Sequence, residues 1–537
     1  MAVNWTREQK QVIEGREKSL LVSAAAGSGK TAVLVERIIQ MITEGENPKD
    51  IDRLLVMTFT RAAAAEMRER IQAAIEKKLE SEPENEHLQQ QAVLVQFAQI
   101  TTIDSFCLHI MREHFDRLDI DPAFRVGDEG EMLLMRADVM DGLLEDYYRD
   151  GGKRYEEFVD AYATGKADGG IAEYVMQVYN FAQSNPWPDA WYEKCREELL
   201  LTEQGELEQT EWMQFLLRDI ALQAQEWKIQ LREAWEICQE TGGPTPYLPM
   251  IEEDLRHAEA VCGAAGSFET ISEALEQFTF SRLAAIRGKN GEVDPEKKAL
   301  VSDCRSRVKK AVEKLKGEYL FASPEQMLTD MEAGKERILE LLELAQEFGR
   351  RFRAKKKEKN VVDFHDLEHF ALEILTEPEA ECSEAEETSS TEETDQMQGK
   401  NAWTVRVPGT VADELAVQYD EILVDEYQDS NLVQETLIQC ISGERFDRPN
   451  VFMVGDVKQS IYKFRLARPE LFLEKYSTYT SEESAHQKIE LHQNFRSRDH
   501  ILESINAIFY RIMTEKLGNI SYTEDAALHP GAAFEER

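Results

Sequence analysis

The sequence contains few cysteines and no closely spaced pair of them. Its 7 cysteines are spread over 537 residues without a Cys-x-x-Cys pair, and this spacing argues against a zinc site, an iron–sulfur cluster and a disulfide framework. Apolar runs long enough to span a membrane are also missing, and Met1 is not followed by the charged and then apolar segments of a signal peptide. We therefore expect a globular protein with reduced cysteines, a cytoplasmic location and no membrane partner.

Positive charge is also in short supply. The chain has 62 Lys and Arg residues against 103 Asp and Glu residues, which gives a net charge of −41. This charge counts against a nucleic-acid partner because the summed field repels DNA. The conflict is smaller if the excess acid lies on outer helices and in one acidic segment while a binding groove stays neutral or basic. The length predicts two to four domains, and 42% hydrophobic residues suffice for their cores.

A strand, a loop of small residues and a helix follow one another near the start of the chain. The loop joins the apolar run Leu20–Val22 to the amphipathic run Ala32–Ile42. Small residues let backbone N–H groups surround an anion, and the helix N-terminus attracts negative charge. Lys30 can reach terminal phosphates, and the Thr31 hydroxyl can bind Mg²⁺. The candidate nucleotide-binding residues of this loop are Ala24, Ala25, Ala26, Gly27, Ser28, Gly29, Lys30 and Thr31.

The loop has one departure from the usual phosphate-binding pattern. Ala24 stands where the pattern has glycine, a change that is tolerated unless the position needs a positive φ. The alternative is a chance glycine-rich turn between a strand and a helix. That alternative does not explain why Lys30 and Thr31 follow at the required spacing.

Two acids follow a later apolar strand, Glu421–Val424. Because parallel strands place their carboxyl ends at one edge of a sheet, we expect Asp425 and Glu426 to lie near Lys30. Asp425 is suited to hold Mg²⁺ on bridging phosphate oxygens, and Glu426 is suited to orient and deprotonate an attacking water. The alternative is a pair of surface acids at a strand end.

Two other apolar runs, at 54–57 and 451–454, and a short β-type run that begins at Ile100 also end in polar or aromatic residues. Hydroxyls and arginines can contact phosphates, and aromatic rings can stack on bases of a single strand. For the first run, a capped helix start with its aromatic residue in the core explains the pattern equally well. The candidate DNA-binding residues are Phe59, Thr60, Arg61, Thr102, Ser105, Tyr462, Phe464 and Arg465.

Three further polar residues are candidates for contacts to a nucleotide. The amide of Gln9 offers one donor and one acceptor, which match the edge of adenine, although a lone glutamine is more often a surface residue. Gln459 can hydrogen-bond a γ-phosphate or the attacking water. Arg496 can neutralise charge that develops during phosphoryl transfer.

The middle of the chain has a different character. Residues 122–360 form a pattern of long amphipathic helices without a catalytic motif, which we interpret as an inserted helical domain. Residues 377–400 are acidic, rich in Ser and Thr and almost without aromatics, so we expect them to be disordered. Strand patterns resume after this segment.

Taken together, the motifs have the order and character of one family. The segments AAAGSGKT, TFTRAAAAEMRERI, TTIDSF, VDEYQDS, VGDVKQSIYKFR and QNFRS make the chain resemble the UvrD-like superfamily 1 DNA helicases. Within that family, TIDSF, VDFHDL and QSIYKFRLARPELF are most similar to the AddA-type helicase/nuclease subunits. The resemblance implies an α/β fold, with a RecA-like parallel-sheet P-loop motor domain, a large all-helical insert and the start of a second RecA-like domain.

The resemblance also implies domain boundaries. Residues 1–121 would be the first part of motor domain 1A, 122–360 the helical insert 1B, 361–376 the return to 1A, 377–400 the acidic insert, 401–485 the second part of 1A, and 486–537 the beginning of domain 2A. Only 41 residues follow Arg496. We therefore expect the chain to be truncated before the later helicase motifs and the nuclease motif, to bind nucleotide weakly on its own and not to unwind DNA.

Function and partners follow from the same resemblance. It implies ATP and Mg²⁺ as nucleotide and metal, single-stranded and duplex DNA as substrates, and a heterodimer in which the partner is an AddB-like subunit. Members of the family translocate 3′ to 5′, here in the processing of double-strand breaks for recombinational repair. Gln9 would read adenine, Phe495 would stack on it, Arg496 would contact the nucleotide, and Gln459 would couple the γ-phosphate to DNA.

Two other functions stay open at this point. A stand-alone UvrD-type repair helicase differs from an AddA-type protein only in motif variants. A non-translocating DNA-binding protein that uses ATP as a switch would carry the same nucleotide motifs. The last of these predicts no stimulation of hydrolysis by DNA, whereas a motor predicts strong stimulation by single strands.

Overall fold

The structure, a computed structural model, describes residues 5–45, 47–163, 169–200, 208–264, 266–286, 293–322, 324–378, 406–514 and 520–532. It divides into two compact units. Unit one comprises residues 1–152, 162–192 and 342–537, and unit two comprises 153–161 and 193–341. The expected α/β class with a parallel sheet is confirmed.

One parallel sheet of six strands lies in unit one, in the order β10-β1-β9-β8-β2-β3. The remaining described strands form the two-stranded pairs β4–β5, β6–β7 and β11–β12. The strands are β1 (Ser19–Ala24), β2 (Leu54–Thr58), β3 (Ile100–Thr102), β4 (Arg125–Val126), β5 (Val361–Val362), β6 (Thr376–Pro378), β7 (Arg406–Pro408), β8 (Glu421–Asp425), β9 (Val451–Gly455), β10 (His486–Leu491), β11 (Gln493–Asn494) and β12 (His529–Pro530).

Helices cover both faces of the sheet in unit one and make up unit two. The described helices are α1 (Arg7–Glu14), α2 (Lys30–Thr43), α3 (Arg61–Ser81), α4 (Glu86–Leu94), α5 (Ile103–Glu113), α6 (Glu129–Asp150), α7 (Gly152–Tyr162), α8 (Gly169–Gln183), α9 (Pro188–Leu199), α10 (Glu211–Gln239), α11 (Leu248–Gly263), α12 (Phe268–Gln277), α13 (Pro295–Tyr319), α14 (Pro324–Glu358), α15 (Phe364–Leu375), α16 (Thr410–Gln418), α17 (Leu432–Ile441), α18 (Pro469–Thr478) and α19 (Asp499–Ile512).

The central strands are apolar on both faces, as parallel strands between two helical layers require. In β2, Leu54 and Val56 pack in one core with α1, α2 and α3. Leu55 and Met57 point the other way and pack with α5, α15 and α17. Because every position of β2 and of β9 is buried, the sequence shows continuous apolar runs there and not the alternation of a half-exposed strand.

Unit two has a core of its own. Helix α10 buries residues spaced three and four apart, among them Leu217, Ile220 and Trp227, against residues of α11, α12 and α13. This spacing is that of one helix face. It accounts for Trp227 as a packing residue.

The last strand of the sheet lies where we expected domain 2A to begin. β10 pairs in parallel with β1, with Ser19 opposite His486 and Ala24 opposite Leu491. Alternate residues of β10 are buried, and Ile489 and Leu491 join the core that contains Val22. The expected boundary at residue 486 therefore separates β10 from the strand with which it pairs, and the six-stranded sheet continues through Leu491.

The acidic segment 377–400 is described only at its first two residues. Glu377 and Pro378 belong to β6, which pairs antiparallel with β7, so the expected disorder does not begin at 377. The remainder of the segment lies outside the described residues. Among the helices that the structure describes, none combines the length and the apolar character needed to cross a membrane.

A buried carboxyl group joins two helices on one face of the sheet. Glu368 of α15 accepts a hydrogen bond from Nε2 of Gln434 in α17 at 2.8 Å. Its pKa is raised to about 7, first because burial disfavours the carboxylate and then because Asp104 adds negative charge nearby. The folded protein therefore keeps a proton on Glu368 at a pH at which the unfolded chain has lost it.

We expect the free energy of unfolding to fall as the pH rises from 4.5, the ordinary pKa of a glutamate, to about 7 because of Glu368. A Glu368→Gln variant keeps the acceptor and never ionises, so the wild type should lose about 3 kcal/mol relative to it across this range. Urea unfolding at a series of pH values measures the difference. Glu373→Gln, on the exposed side of the same helix, is the control, and parallel curves for wild type and Glu368→Gln would contradict the prediction.

Candidate nucleotide and nucleic-acid site

The loop between β1 and α2 has the backbone of an anion-binding loop. Gly27 and Gly29 have φ of 74° and 85°, values that glycine adopts without cost. Ala24 is not among the described residues with positive φ and is fully buried at the end of β1, so alanine is tolerated there. Gly29 is the N-cap of α2 and supplies no side chain to cap it, which leaves first-turn N–H groups to bind an anion.

Lys30 and Glu426 lie in contact, although they are 396 positions apart in the sequence. Nζ of Lys30 is 2.9 Å from Oε2 and 3.1 Å from Oε1 of Glu426. The side chain of Lys30 is only 12% exposed and that of Glu426 is 35% exposed. The expected convergence of the phosphate loop with the acidic pair is therefore present in the geometry.

Asp425 and Glu426 differ in environment. Burial, followed by the charge of Glu426, raises the pKa of Asp425 to about 6. A carboxylate in this position gains by binding a cation, which replaces the proton. Glu426 has a left-handed backbone with φ of 53° and ψ of 42°, and this turn brings its side chain to Lys30.

The segment after β10 is bound to the phosphate loop. Asn494 donates from Nδ2 to the carbonyl of Ala26 at 2.6 Å, and the N–H of Phe495 donates to the carbonyl of Gly27 at 2.9 Å. A Cβ on Gly27 would lie 2.8 Å from Nδ2 of Asn494. The shape of the loop thus depends on Asn494, which sequence reasoning did not single out.

Gln9 and Phe495 line one cavity of about 210 Å³ beside the loop. The amide of Gln9 is already used, because Oε1 accepts from the N–H of Thr6 at 2.9 Å and Nε2 donates to the carbonyl of Ser28 at 3.0 Å. One donor and one lone pair of that amide are left for a base. Arg496 is exposed next to this cavity.

Aromatic residues from two strand ends form a cluster at the same edge of the sheet. The rings of Phe59 and Tyr462 are 4.8 Å apart, and those of Tyr462 and Phe464 are 5.9 Å apart. Arg465 lies 5.3 Å from the centre of the Tyr462 ring. Phe464 is 75% exposed and Phe59 is 40% exposed, so the alternative that places Phe59 in the core does not hold.

The other candidate strand contacts are partly engaged within the fold. Thr60 caps α3, with its hydroxyl accepting from the N–H of Ala63 at 3.1 Å, and the side chain of Arg61 is exposed. Thr102 is buried and caps α5, with its hydroxyl 2.9 Å from that of Ser105. A contact of Thr102 or Ser105 with DNA would have to share these hydroxyls.

Gln459 points back towards the sheet. Its Nε2 donates to Oδ2 of Asp456 at 2.8 Å, and Lys458 lies 2.9 Å from the other oxygen of the same carboxylate. Asp456 is 2% exposed. Gln459 is therefore held at the carboxyl edge of β9 by a residue of its own turn.

The site fits a nucleoside triphosphate with a divalent cation. Oγ of Ser28 is a buried hydroxyl without a hydrogen-bond partner among the described residues, so it can bond to a phosphate or a water oxygen. The described residues contain no group of three or more His, Cys, Asp and Glu side chains placed to bind a metal ion. A cation held by Asp425 and Thr31 would complete its shell with phosphate and water oxygens, as Mg²⁺ does.

We expect Asn494→Ala to weaken the binding of a fluorescent ATP analogue by about tenfold, because it removes a hydrogen bond of about 1–1.5 kcal/mol and loosens the loop. Fluorescence titration measures the affinity. Asn450→Ala is the matched control, since Asn450 likewise donates from Nδ2 to a carbonyl, that of Tyr419 at 3.1 Å, but lies just before β9, at the end of the sheet opposite the loop. Equal affinities of the wild type and Asn494→Ala, or equal losses in both variants, would contradict the role of Asn494.

Comparison with known proteins places the chain in a family. Residues 5–480 match the model of the UvrD/REP helicase N-terminal domain. The chain is similar to proteins named as subunits of an ATP-dependent helicase/nuclease. It is 45% identical to that of Lachnoclostridium phytofermentans over 99% of this chain and 37% of the relative. It is 41% identical to that of Clostridium beijerinckii over 99% of this chain and 41% of the relative, so it spans about two-fifths of the relatives' length. With most of its residues inside one family model, the chain belongs to the UvrD/REP helicase family.

Proposed function

We propose that this chain carries the ATP-hydrolysing and strand-binding part of an ATP-dependent 3′ to 5′ DNA helicase of the AddAB type, which processes double-strand breaks for recombinational repair in the cytoplasm. The observation that carries the proposal is the contact of Lys30 with Glu426 at 2.9 Å. A phosphate-loop lysine beside an acid at a strand end is the arrangement needed for transfer of a γ-phosphoryl group to water.

The residues of the site divide the work of hydrolysis. Lys30 and the N–H groups at the start of α2 bind the terminal phosphates. Because Lys30 then neutralises phosphate charge, the carboxylate of Glu426 is released to orient water. It accepts the proton of the water as the water attacks the γ-phosphorus and the bond to the bridging β-phosphate oxygen breaks, which releases ADP. Arg496 lies beside the loop, because a Cβ on Gly27 would be 2.9 Å from the Cβ of Arg496, and its charge can offset the charge that develops. Mg²⁺, when held by Asp425 and Thr31, supplies charge neutralisation on the phosphate oxygens.

The strand-binding part of the proposal rests on the aromatic cluster of Phe59, Tyr462 and Phe464. The three rings lie 4.8 Å and 5.9 Å from one another. The exposed rings of Phe59 and Phe464 offer faces on which bases stack, and Arg465 adds positive charge. The net charge of −41 opposes the approach of DNA, and stacking together with the local positive charge of Arg465 offsets part of this repulsion.

We expect ATP hydrolysis by the protein to be stimulated by an oligo-dT strand, and Lys30→Ala to abolish hydrolysis with and without DNA. Phe464→Ala should weaken activation by the strand about tenfold, because one stacking contact is worth about 1–3 kcal/mol. Steady-state phosphate release at increasing oligo-dT measures both effects. Phe97→Ala is the control, since Phe97 is equally exposed at 75% and precedes β3, at the opposite edge of the sheet. Hydrolysis indifferent to DNA would favour the ATP-gated, non-translocating alternative.

The partner is a proposal of its own, supported by the names of the relatives, which describe each of them as one subunit of a helicase/nuclease. We expect a 1:1 complex when the chain is co-expressed with an AddB-type protein of the same source, measured by gel filtration with light scattering. Separate elution of the two chains at micromolar concentration would favour a stand-alone helicase.

A further inference from the structure

A buried glutamine connects the acids of the site with the loop that leads to the aromatic cluster. Gln428 is 1% exposed. Its Nε2 donates to Oε2 of Glu426 at 2.9 Å and to Oδ2 of Asp429 at 3.2 Å. Its Oε1 accepts from the backbone N–H of Asp456 at 2.9 Å. One side chain therefore contacts both segments.

The orientation of this amide is fixed by its partners. The N–H of Asp456 can only donate, so the amide oxygen must face it, and ionised carboxylates can only accept, so the amide nitrogen must face Glu426 and Asp429. Turning the amide over would set donor against donor and acceptor against acceptor in a buried place, at a high cost. The contact of the amide oxygen with Asp456 and the contacts of the amide nitrogen with Glu426 and Asp429 are therefore kept or lost together.

Gly455 makes room for this contact. A Cβ at Gly455 would lie 2.3 Å from Oε1 of Gln428 and 3.2 Å from its backbone nitrogen. Gly455 does not have a positive φ, so the requirement is one of space and not of backbone conformation. The end of β9 can approach Gln428 only because residue 455 lacks a side chain.

The contacts continue in both directions. On one side, Glu426 binds Lys30 of the phosphate loop. On the other side, the carboxylate of Asp456 accepts from Gln459 at 2.8 Å, and Tyr462 of the aromatic cluster follows three residues later. An unbroken series of hydrogen bonds thus leads from Lys30 to Gln459 through Gln428.

We propose that Gln428 is a positioning residue that couples strand binding at the aromatic cluster to the placement of Glu426, and thereby to the rate of ATP hydrolysis. The inference rests on the proposed function. When the segment from Asp456 to Tyr462 moves on binding a strand, the amide must follow or leave a buried N–H unpaired, and Glu426 follows the amide.

The test is Gln428→Met, which keeps the length and apolar volume of the side chain and removes its hydrogen bonds. We expect the ratio of DNA-stimulated to unstimulated kcat to fall about tenfold to hundredfold, the equivalent of one or two hydrogen bonds to a charged group. The KM for ATP should stay within about threefold, because Gln428 does not touch the phosphate loop. Gly455→Ala should lower the ratio in the same way, and the two losses should not add.

Gln91→Met is the matched control. Gln91 is a buried glutamine that likewise accepts from a backbone N–H, that of Ile51 at 2.8 Å, and donates to a carboxylate, that of Asp50 at 2.6 Å. It should leave the ratio unchanged. The inference would be overturned if the ratio did not change in Gln428→Met, if Gln91→Met lowered it equally, or if a raised KM explained the loss. The proposed function would stand in each of these cases. A wild type that strands do not stimulate would overturn both.

Discussion

The ion pair of Lys30 with Glu426 is the contact on which the site depends. A parallel sheet makes it possible, because β1 and β8 end at one edge with only β9 between them. The pair is half-buried, at 12% and 35% exposure, so each partner restrains the other more than a surface pair would. A triphosphate that binds Lys30 competes with Glu426 for the lysine. Binding of phosphate in the loop therefore weakens the ion pair and lets the carboxylate of Glu426 move.

A second ion pair fixes the same two elements farther along. Arg37 of α2 is 1% exposed, and its Nε donates to Glu421 at the start of β8 at 2.8 Å. The guanidinium carbon of Arg37 lies 5.0 Å from the centre of the Phe452 ring. Helix α2 and strand β8 are therefore joined at Lys30 with Glu426 and again at Arg37 with Glu421. Buried pairs of this kind add little net stability and specify one arrangement over others. Here the arrangement specified is the one that sets the lysine against the acid.

Local patterns in the sequence predicted the sheet, the phosphate loop and the acidic pair, because glycine, lysine and strand-end acids at set spacings carry their own geometry. The spacing Thr-x-x-Gln also indicates the capping box of Thr6 and Gln9. The prediction that Gln9 contacts adenine did not take into account that the amide oxygen of Gln9 takes part in this cap. Gln428 and Asn494 could not be predicted. Gln428 contacts Asp456 across 28 positions and Asn494 contacts Ala26 across 468, and no periodicity marks a contact that only the assembled strand ends create.

The backbone conformation of Glu426 makes the position of its carboxylate depend on the neighbouring side chains. A left-handed conformation at a residue other than glycine costs about 1–3 kcal/mol and persists only when neighbouring contacts impose it. For Glu426 those contacts are Lys30 on one side and Gln428 on the other. Because the backbone does not favour this position by itself, the acid stays in place only while both partners hold it. Phosphate bound to Lys30, or movement of the segment that Gln428 contacts, therefore changes the position of the Glu426 carboxylate directly.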